Sequence, residues 1–215
     1  LLLIGRIPLF DTLCISFGTA GTGGFGIVND SMGSYSTYCQ VVTTIFMILF
    51  GVNFSAYYLL LTKKFVQAVK FEEVRYYFGI ILAAILVIGL NTAHLFRNLG
   101  EAFQQAAFQV GSIITTTGFS SVDFDIWPET SKIILVLLMF IGACSGSTGG
   151  GIKVSRIMIL IKTVVKELNS YIHPRSVRKI KIDGKPVEHD VVRATNVYFI
   201  TFMVIFAFSV FAISF

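Results

Sequence analysis

Two short segments carry the residues best suited to holding a bare cation: Thr22-Gly23-Gly24-Phe25 and Thr116-Thr117-Gly118-Phe119. A cation that sheds its water needs replacement oxygens, and backbone carbonyls supply them where the chain can turn them inward. Gly24 and Gly118 suit that task, because glycine reaches unusual dihedrals at no steric cost and leaves a lumen open. Thr22 and Thr116 add hydroxyl oxygens at the inner end of each segment. Setting Gly24 on Gly118, an offset of 94 residues (118 − 24), also sets Phe25 on Phe119. The expected ion contacts are therefore backbone contacts at Thr22, Gly23, Gly24 and Phe25 and at Thr116, Thr117, Gly118 and Phe119. No side-chain metal cluster and no cofactor are expected.

A third segment differs in kind. Gly142-Ala143-Cys144-Ser145-Gly146-Ser147-Thr148-Gly149-Gly150-Gly151 places five glycines in ten residues inside an apolar run that ends at Lys153. Each glycine costs a helix about 1 kcal/mol relative to alanine. Backbone freed in lipid costs several kcal/mol per group unless it lines a water-filled cavity. The loop 142–151 is thus expected beneath the two Gly motifs as a movable gate, with Gly142, Gly146, Ser147, Thr148, Gly149, Gly150, Gly151 and Lys153 as its working residues. The alternative is a kink or a close helix contact of small residues. Lys153 either snorkels to the interface or tunes cation flow. Asn53, in the middle of an earlier apolar run, either bonds between helices or lines the cavity.

Other patterns lead nowhere. Gly21–Gly26 matches G-x-G-x-x-G, but no strand precedes it and an apolar stretch follows, so a dinucleotide site is not expected. Gly146–Lys153 departs from the Walker pattern at Ile152. Cys14, Cys39 and Cys144 lack metal-ligand spacing, and their odd number argues against a disulfide framework. His94, His173 and His189 are scattered.

The elements that must position the motifs are membrane elements. Hydrophobic residues make up 54% of the chain and charged residues 13%, against about 25% charged in soluble domains; mean hydropathy is +0.78. Four charge-free runs approach the ~20 residues a span needs: Cys39–Thr62, Tyr76–Thr92, Ile133–Ile152 and Ala194–Phe215. None contains Asp or Glu. Two shorter stretches, Ile7–Thr19 and Glu101–Ile114, lead into the Gly motifs and are expected to be re-entrant, their carbonyl ends aimed at the cavity. Trp127-Pro128 sits where an aromatic belt residue is expected. The chain starts at Leu1 and stops within an apolar run, which reads as a fragment of a longer polypeptide.

Charge orients these elements. The segments 63–75 and 153–193 hold 14 of the 17 Lys and Arg, and the positive-inside rule makes them cytoplasmic. Both Gly motifs then open outward. Glu101, Asp123 and Asp125 near the mouth either concentrate cations or are ordinary solvated loop charges. The polar connection 162–190, with a His173-Pro174 break and a turn at Asp183-Gly184-Lys185-Pro186, either lies near anionic lipid heads or docks a cytosolic partner.

The expected fold is all-α integral membrane: M1–P–M2 pore units with re-entrant P-loops, repeated about an axis along the membrane normal. Two P-loops cannot surround an ion, so a larger, four-unit protein is implied. Residues 1–62 form the P-loop and M2 of one unit, lacking its M1, and 63–75 a cytoplasmic linker. Residues 76–165 form the next unit with a broken M2, 166–193 a cytoplasmic connection, and 194–215 the first span of a further unit.

Thr116-Thr117-Gly118-Phe119-Ser120, Trp127-Pro128, Gly146-Ser147-Thr148-Gly149-Gly150-Gly151-Ile152-Lys153 and His173-Pro174, in this order, resemble the Trk/Ktr superfamily of potassium-uptake proteins, in particular its TrkH/TrkG branch. The resemblance covers essentially the whole chain, from the second pore unit into the fourth. It implies a K+-conducting filter of four non-identical loops, each with one central glycine, here Gly24 and Gly118. It implies a gating loop at Gly142–Gly151. It further implies a homodimer of four-unit subunits in the plasma membrane of a bacterium or archaeon, with a cytosolic nucleotide-binding regulatory subunit of RCK type. Membrane lipid is the other expected partner, and nucleic acid is not one. The alternative is a secondary transporter with discontinuous helices carrying a solute with Na+ or H+. Its usual mark is an intramembrane carboxylate. An enzyme is not expected, since no nucleophile–base pair or ligand set is present.

Overall fold

The computed structural model describes residues 1–173 and 179–214, with the Ala68 side chain excepted. The chain divides into two compact units, Leu1–Val154 and Ser155–Phe215. Pro174 of the His173-Pro174 break lies outside the described residues, as does Phe215.

In the first unit, α1 (Leu9–Ala20) leads into the first Gly motif, and α2 (Thr37–Phe50), α3 (Phe54–Leu61) and α4 (Phe65–Lys70) follow. Next come α5 (Glu72–Thr92), α6 (Leu99–Ile114), which leads into the second Gly motif, and α7 (Glu129–Ile141). The starts are locally coded. Asn98 accepts from the Glu101 amide at 2.8 Å, with Glu101 itself at the third helical position of α6. Ser36 caps α2 in the same manner. Pro8 and Pro128 precede α1 and α7, with acidic residues in the first turns.

The core forms where α6 packs on α5, α2 and α7. The ring of Phe103 lies against Gly89 of α5 so closely that a Cβ there would be 2.6 Å from it, the close approach small residues allow between membrane helices. A cluster of Leu2, Ile7, Ile15, Met32, Cys39, Met47, Phe108 and Phe119 joins α1, α2 and α6. Leu82, Leu86 and Leu90 of α5 and Ile133, Val136 and Leu137 of α7 stay exposed, as side chains facing lipid do.

Among the described residues two helices are long and apolar enough to cross a membrane, Glu72–Leu95 and His189–Ile213. α5 therefore starts four residues before the expected Tyr76. It takes Glu72 and Glu73 into its first turn. The run Cys39–Thr62 is likewise not one straight helix. It bends by 93° between α2 and α3. Asn53 caps α3, accepting from the Ser55 amide at 2.8 Å, and the Tyr77 hydroxyl donates to the Ile48 carbonyl at 3.0 Å at the end of α2. Both stabilise a helix end where hydropathy alone sees a continuous span. The third run breaks where the glycines begin: α7 ends at Gly142, with φ 73°.

In the second unit, α8 (Val154–Ile172) carries past the expected boundary at 165. A two-stranded hairpin, β1 (Lys181–Ile182) and β2 (Lys185–Pro186), closes at Asp183-Gly184, both with positive φ. It is a small departure from an all-α chain. α9 (His189–Ile213) follows, with its apolar window wholly unburied. Arg156 of α8 stacks over the Tyr198 ring of α9 at 4.2 Å.

Candidate functional site

The two Gly motifs leave their helices through the same backbone path. Gly21 N–H donates to Phe17 O, Thr22 N–H to Thr19 O and Gly23 N–H to Gly18 O, at 2.8, 3.3 and 2.8 Å. With the 94-residue offset, Thr115 N–H donates to Gly111 O, Thr116 N–H to Ile113 O and Thr117 N–H to Ser112 O, at 3.3, 3.0 and 2.9 Å. The dihedrals repeat too. Thr22 and Thr116 have φ of 50° and 57°, and Gly24 and Gly118 have φ of 65° and 89°. A threonine with positive φ is uncommon and costs about 1–2 kcal/mol. In each motif the hydroxyl donates to the preceding carbonyl, Gly21 O at 2.8 Å and Thr115 O at 2.6 Å.

The fold brings the motifs together. A Cβ on Gly24 would collide with the Thr117 carbonyl oxygen and sit 2.7 Å from the Thr117 carbonyl carbon and 3.0 Å from that of Gly118. Nothing stands within 4 Å of a Cβ on Gly118, which faces open space. The loops beyond the motifs also meet: Met32 N–H donates to Ser120 O at 2.8 Å, and Ser120 N–H to Ser31 Oγ at 3.2 Å. The two phenylalanines part company. Phe119 is 1% exposed, its ring 3.1 Å from a Cβ built on Gly18 of α1, whereas Phe25 is 85% exposed.

The Gly-rich loop lies against the threonines of both motifs. Thr22 Oγ1 shares its one hydrogen between Gly21 O and Thr148 O, the latter at 3.0 Å, and Gly150 N–H donates to Thr116 Oγ1 at 2.6 Å. The neck is a double strand of backbone. Ile152 N–H donates to Phe140 O and Lys153 N–H to Ile141 O, at 3.1 and 3.0 Å. A Cβ on Gly151 would lie 2.6 Å from Gly142 Cα, and one on Gly149 would lie 2.9 Å from Thr115 O. Ser147 Oγ closes the tip on Cys144 O at 2.7 Å. Beside the tip, Gly146 O accepts from the Phe54 amide at 3.1 Å. Lys153 is half-buried with φ 84°, and its ammonium donates back to Gly149 O; the side chain bonds to the loop rather than running out along the helix.

Several residues that hold this arrangement carry no motif. Ser112 Oγ donates to Phe119 O at 2.6 Å and fixes the second motif from behind. Gln40 Oε1 accepts from Gln104 and Gln105, and Gln105 in turn accepts from Ser121 Oγ at 2.5 Å. Gln109 reaches Val122 O at 3.2 Å. Their signal was three glutamines in a buried helix, which need partners wherever they are packed. Glu73, 6% exposed, accepts from the Ser145 amide at 2.5 Å and from Asn53 Nδ2 at 3.2 Å. Asn53 is thus an interhelical hydrogen-bonding residue.

Outside this cluster, Asp123 and Asp125 are exposed. Trp127 is 2% exposed and packs edge-on to Phe96, so it is a core residue and not an interface anchor. In the loop before α2, Tyr35 donates to Asp11 of α1 at 2.9 Å. Burial and then that bond push its hydroxyl pKa up to about 12. Cys14, Cys39 and Cys144 are free thiols. Among the described residues no three His, Cys, Asp or Glu side chains converge on a metal-sized site.

The comparisons with known proteins agree with one another. The TrkH cation transport protein model matches residues 3–95 and 59–215. The Trk system potassium uptake protein TrkH of Vibrio parahaemolyticus is 34% identical over 210 residues, which are 95% of this chain and 43% of that one. TrkG of Escherichia coli is 31% identical over 199 residues, 91% of this chain and 41% of that one. The crystal structure of the potassium transporter TrkH from Vibrio parahaemolyticus superposes with a TM-score of 0.89 at 34% identity, over 96% of this chain and 45% of that one. The chain spans less than half the length of these relatives. On family match, identity and structure together, it belongs to the TrkH family of cation transport proteins.

Proposed function

We propose that this chain supplies two walls of a potassium-conducting pore in the plasma membrane, and that it takes part in K+ uptake with no covalent chemistry. The carrying observation is that two motifs 94 residues apart share one backbone path, stand against each other at Gly24 and Thr117-Gly118, and both bond to one Gly-rich loop. In this reading α1 and α6 are the pore helices of two M1–P–M2 units. Carbonyls of Thr22–Phe25 and Thr116–Phe119 replace the water of the ion. The loop 142–151 closes the path beneath them. Residues 63–75 and 166–193 belong to the cytoplasmic side, and α9 begins a further unit. The names of the relatives support K+ as the cargo. A homodimer of four-unit subunits and a nucleotide-binding cytosolic regulator are part of the same proposal.

Replacing Gly118 tests it, because the open space beside that residue is where an ion would pass. Glycine-to-aspartate at 118, expressed from the complete reading frame in a strain lacking K+ uptake, is expected to abolish selective rubidium-86 accumulation while the protein still reaches the membrane. Unchanged selective uptake would sink the proposal.

A further inference from the structure

The sequence places Glu73 in a cytoplasmic linker; the fold buries it. It is the second residue of α5 and 6% exposed. Each of its two carboxyl oxygens reaches a different element. Oε1 accepts from the backbone amide of Ser145 in the Gly-rich loop at 2.5 Å, and Oε2 accepts from Asn53 at the α2–α3 bend at 3.2 Å. Asn53 uses its other side-chain atom to cap α3. The loop and the bend are also bonded directly, Cys144 N–H to Gly51 O at 3.0 Å and Phe54 N–H to Gly146 O at 3.1 Å. Loop, bend and α5 therefore meet at one carboxyl group.

Among the described residues, three amides of the loop body 143–150 are held by groups outside the loop: Cys144 by the Gly51 carbonyl, Ser145 by Glu73 and Gly150 by the Thr116 hydroxyl. The Gly51 carbonyl is backbone of the α2–α3 bend, and Thr116 belongs to the second Gly motif. Glu73 alone of the three stands next to the basic linker, three residues beyond Lys70. A side-chain anchor can let go by rotating, with no backbone moved. A buried carboxyl group is tolerated only while its oxygens are occupied. Detaching the loop would therefore call for Glu73 to be hydrated, and hydrating Glu73 would detach the loop.

We propose that Glu73 is a positioning residue, a clasp that holds the 142–151 loop in the conformation seen here and ties that conformation to the linker 63–71. The proposal rests on reading the loop as the gate. Its test uses the thiols already present. Cys144 and Cys39 are both fully buried, one in the loop and one at the start of α2.

In the protein expressed from its complete reading frame, Glu73→Gln keeps the shape and removes one acceptor oxygen. Modification by a water-soluble methanethiosulfonate, followed peptide by peptide, is expected to speed up about tenfold at Cys144, the change that loss of ~1.4 kcal/mol brings, and to stay unchanged at Cys39. Rubidium-86 flux is expected to rise, and to rise no further when Glu73→Gln is added to a variant with Gly146–Gly150 shortened. An unchanged rate at Cys144, or a rate at Cys39 rising in step, overturns the clasp. A reactive Cys144 with flux unchanged in both the Glu73 and the shortened-loop variants upholds the clasp and overturns the gate. Should Glu73→Gln fail to elute as folded protein, Glu73→Asp, one methylene shorter, is read by the same two thiols, with about threefold expected at Cys144.

Discussion

At the scale of single residues, the two glycines of the repeated motif have opposite surroundings. Gly24 meets backbone of the other motif, which cannot rotate away, whereas Gly118 meets open space. Alanine should separate these roles. Gly24→Ala is expected to break the apposition of the two motifs and to lower the thermal unfolding midpoint of the detergent-solubilised protein well beyond the ~1–2 kcal/mol that positive φ costs alanine. Gly118→Ala is expected to cost no more than that strain and to reduce ion flux nonetheless. Equal midpoints for the two variants would contradict the placement of Gly24. Threonine recurs at 22 and 116 for a related reason. Its hydroxyl takes the preceding carbonyl, and the hydroxyl oxygen or its hydrogen remains within reach of the Gly-rich loop. Serine would do the same with less bulk, while valine would keep the bulk and lose both bonds.

At the scale of elements, the α2–α3 bend depends on space as much as on capping. A Cβ on Gly51 would collide with the Tyr77 hydroxyl and lie 2.9 Å from Thr115 Cγ2, although its φ of −75° suits any residue. Gly51→Ala should therefore destabilise, and Tyr77→Phe, which removes the nearest obstacle and the bond to Ile48 O but leaves the ring, should cost about 0.5–1.5 kcal/mol. The pair should cost less than the sum of the single changes, by the logic of contacting sites; strict additivity in thermal melts would count against the contact. This bend marks the limit of what could be read in advance. The short helices before the Gly motifs, the stop of α7 at Gly142 and the turn at Asp183-Gly184 were legible, since glycine, proline and charge punctuate them. The bend was not, because Cys39–Thr62 holds no charge and no proline and the cause of the bend lies partly in Tyr77, on another helix. Glu73 escaped for the converse reason. A carboxylate beside lysines reads as a linker charge, and only the tertiary fold supplies the Ser145 amide that lets it be buried. Likewise the threonine, glycine and phenylalanine of the candidate site stood out by repetition. The glutamines and Ser112 behind them did not, since their partners are groups chosen by the fold.

At the scale of the molecule, the bias of Lys and Arg toward residues 63–75 and 153–193 predicts, by the positive-inside rule, that both segments are cytoplasmic. Ser34 and Gln67 are both exposed. With single cysteines placed there, a membrane-impermeant maleimide should label Ser34→Cys in intact spheroplasts and Gln67→Cys only after permeabilisation; the reverse pattern would invert the orientation. The exposed apolar side chains of α5, of α7 and of α9 are those expected of helices that meet lipid. The unlike fates of Phe25 and Phe119 have a geometric meaning. Phe119 inserts beside Gly18 of α1, so what one motif offers differs from what its neighbour receives. Such a contact is heterologous, and head-to-tail contacts either run on indefinitely or close into a ring. Phe25, at the matching position 94 residues earlier, is 85% exposed. In the proposed pore, the next wall would have to offer Phe25 the recess that α1 offers Phe119.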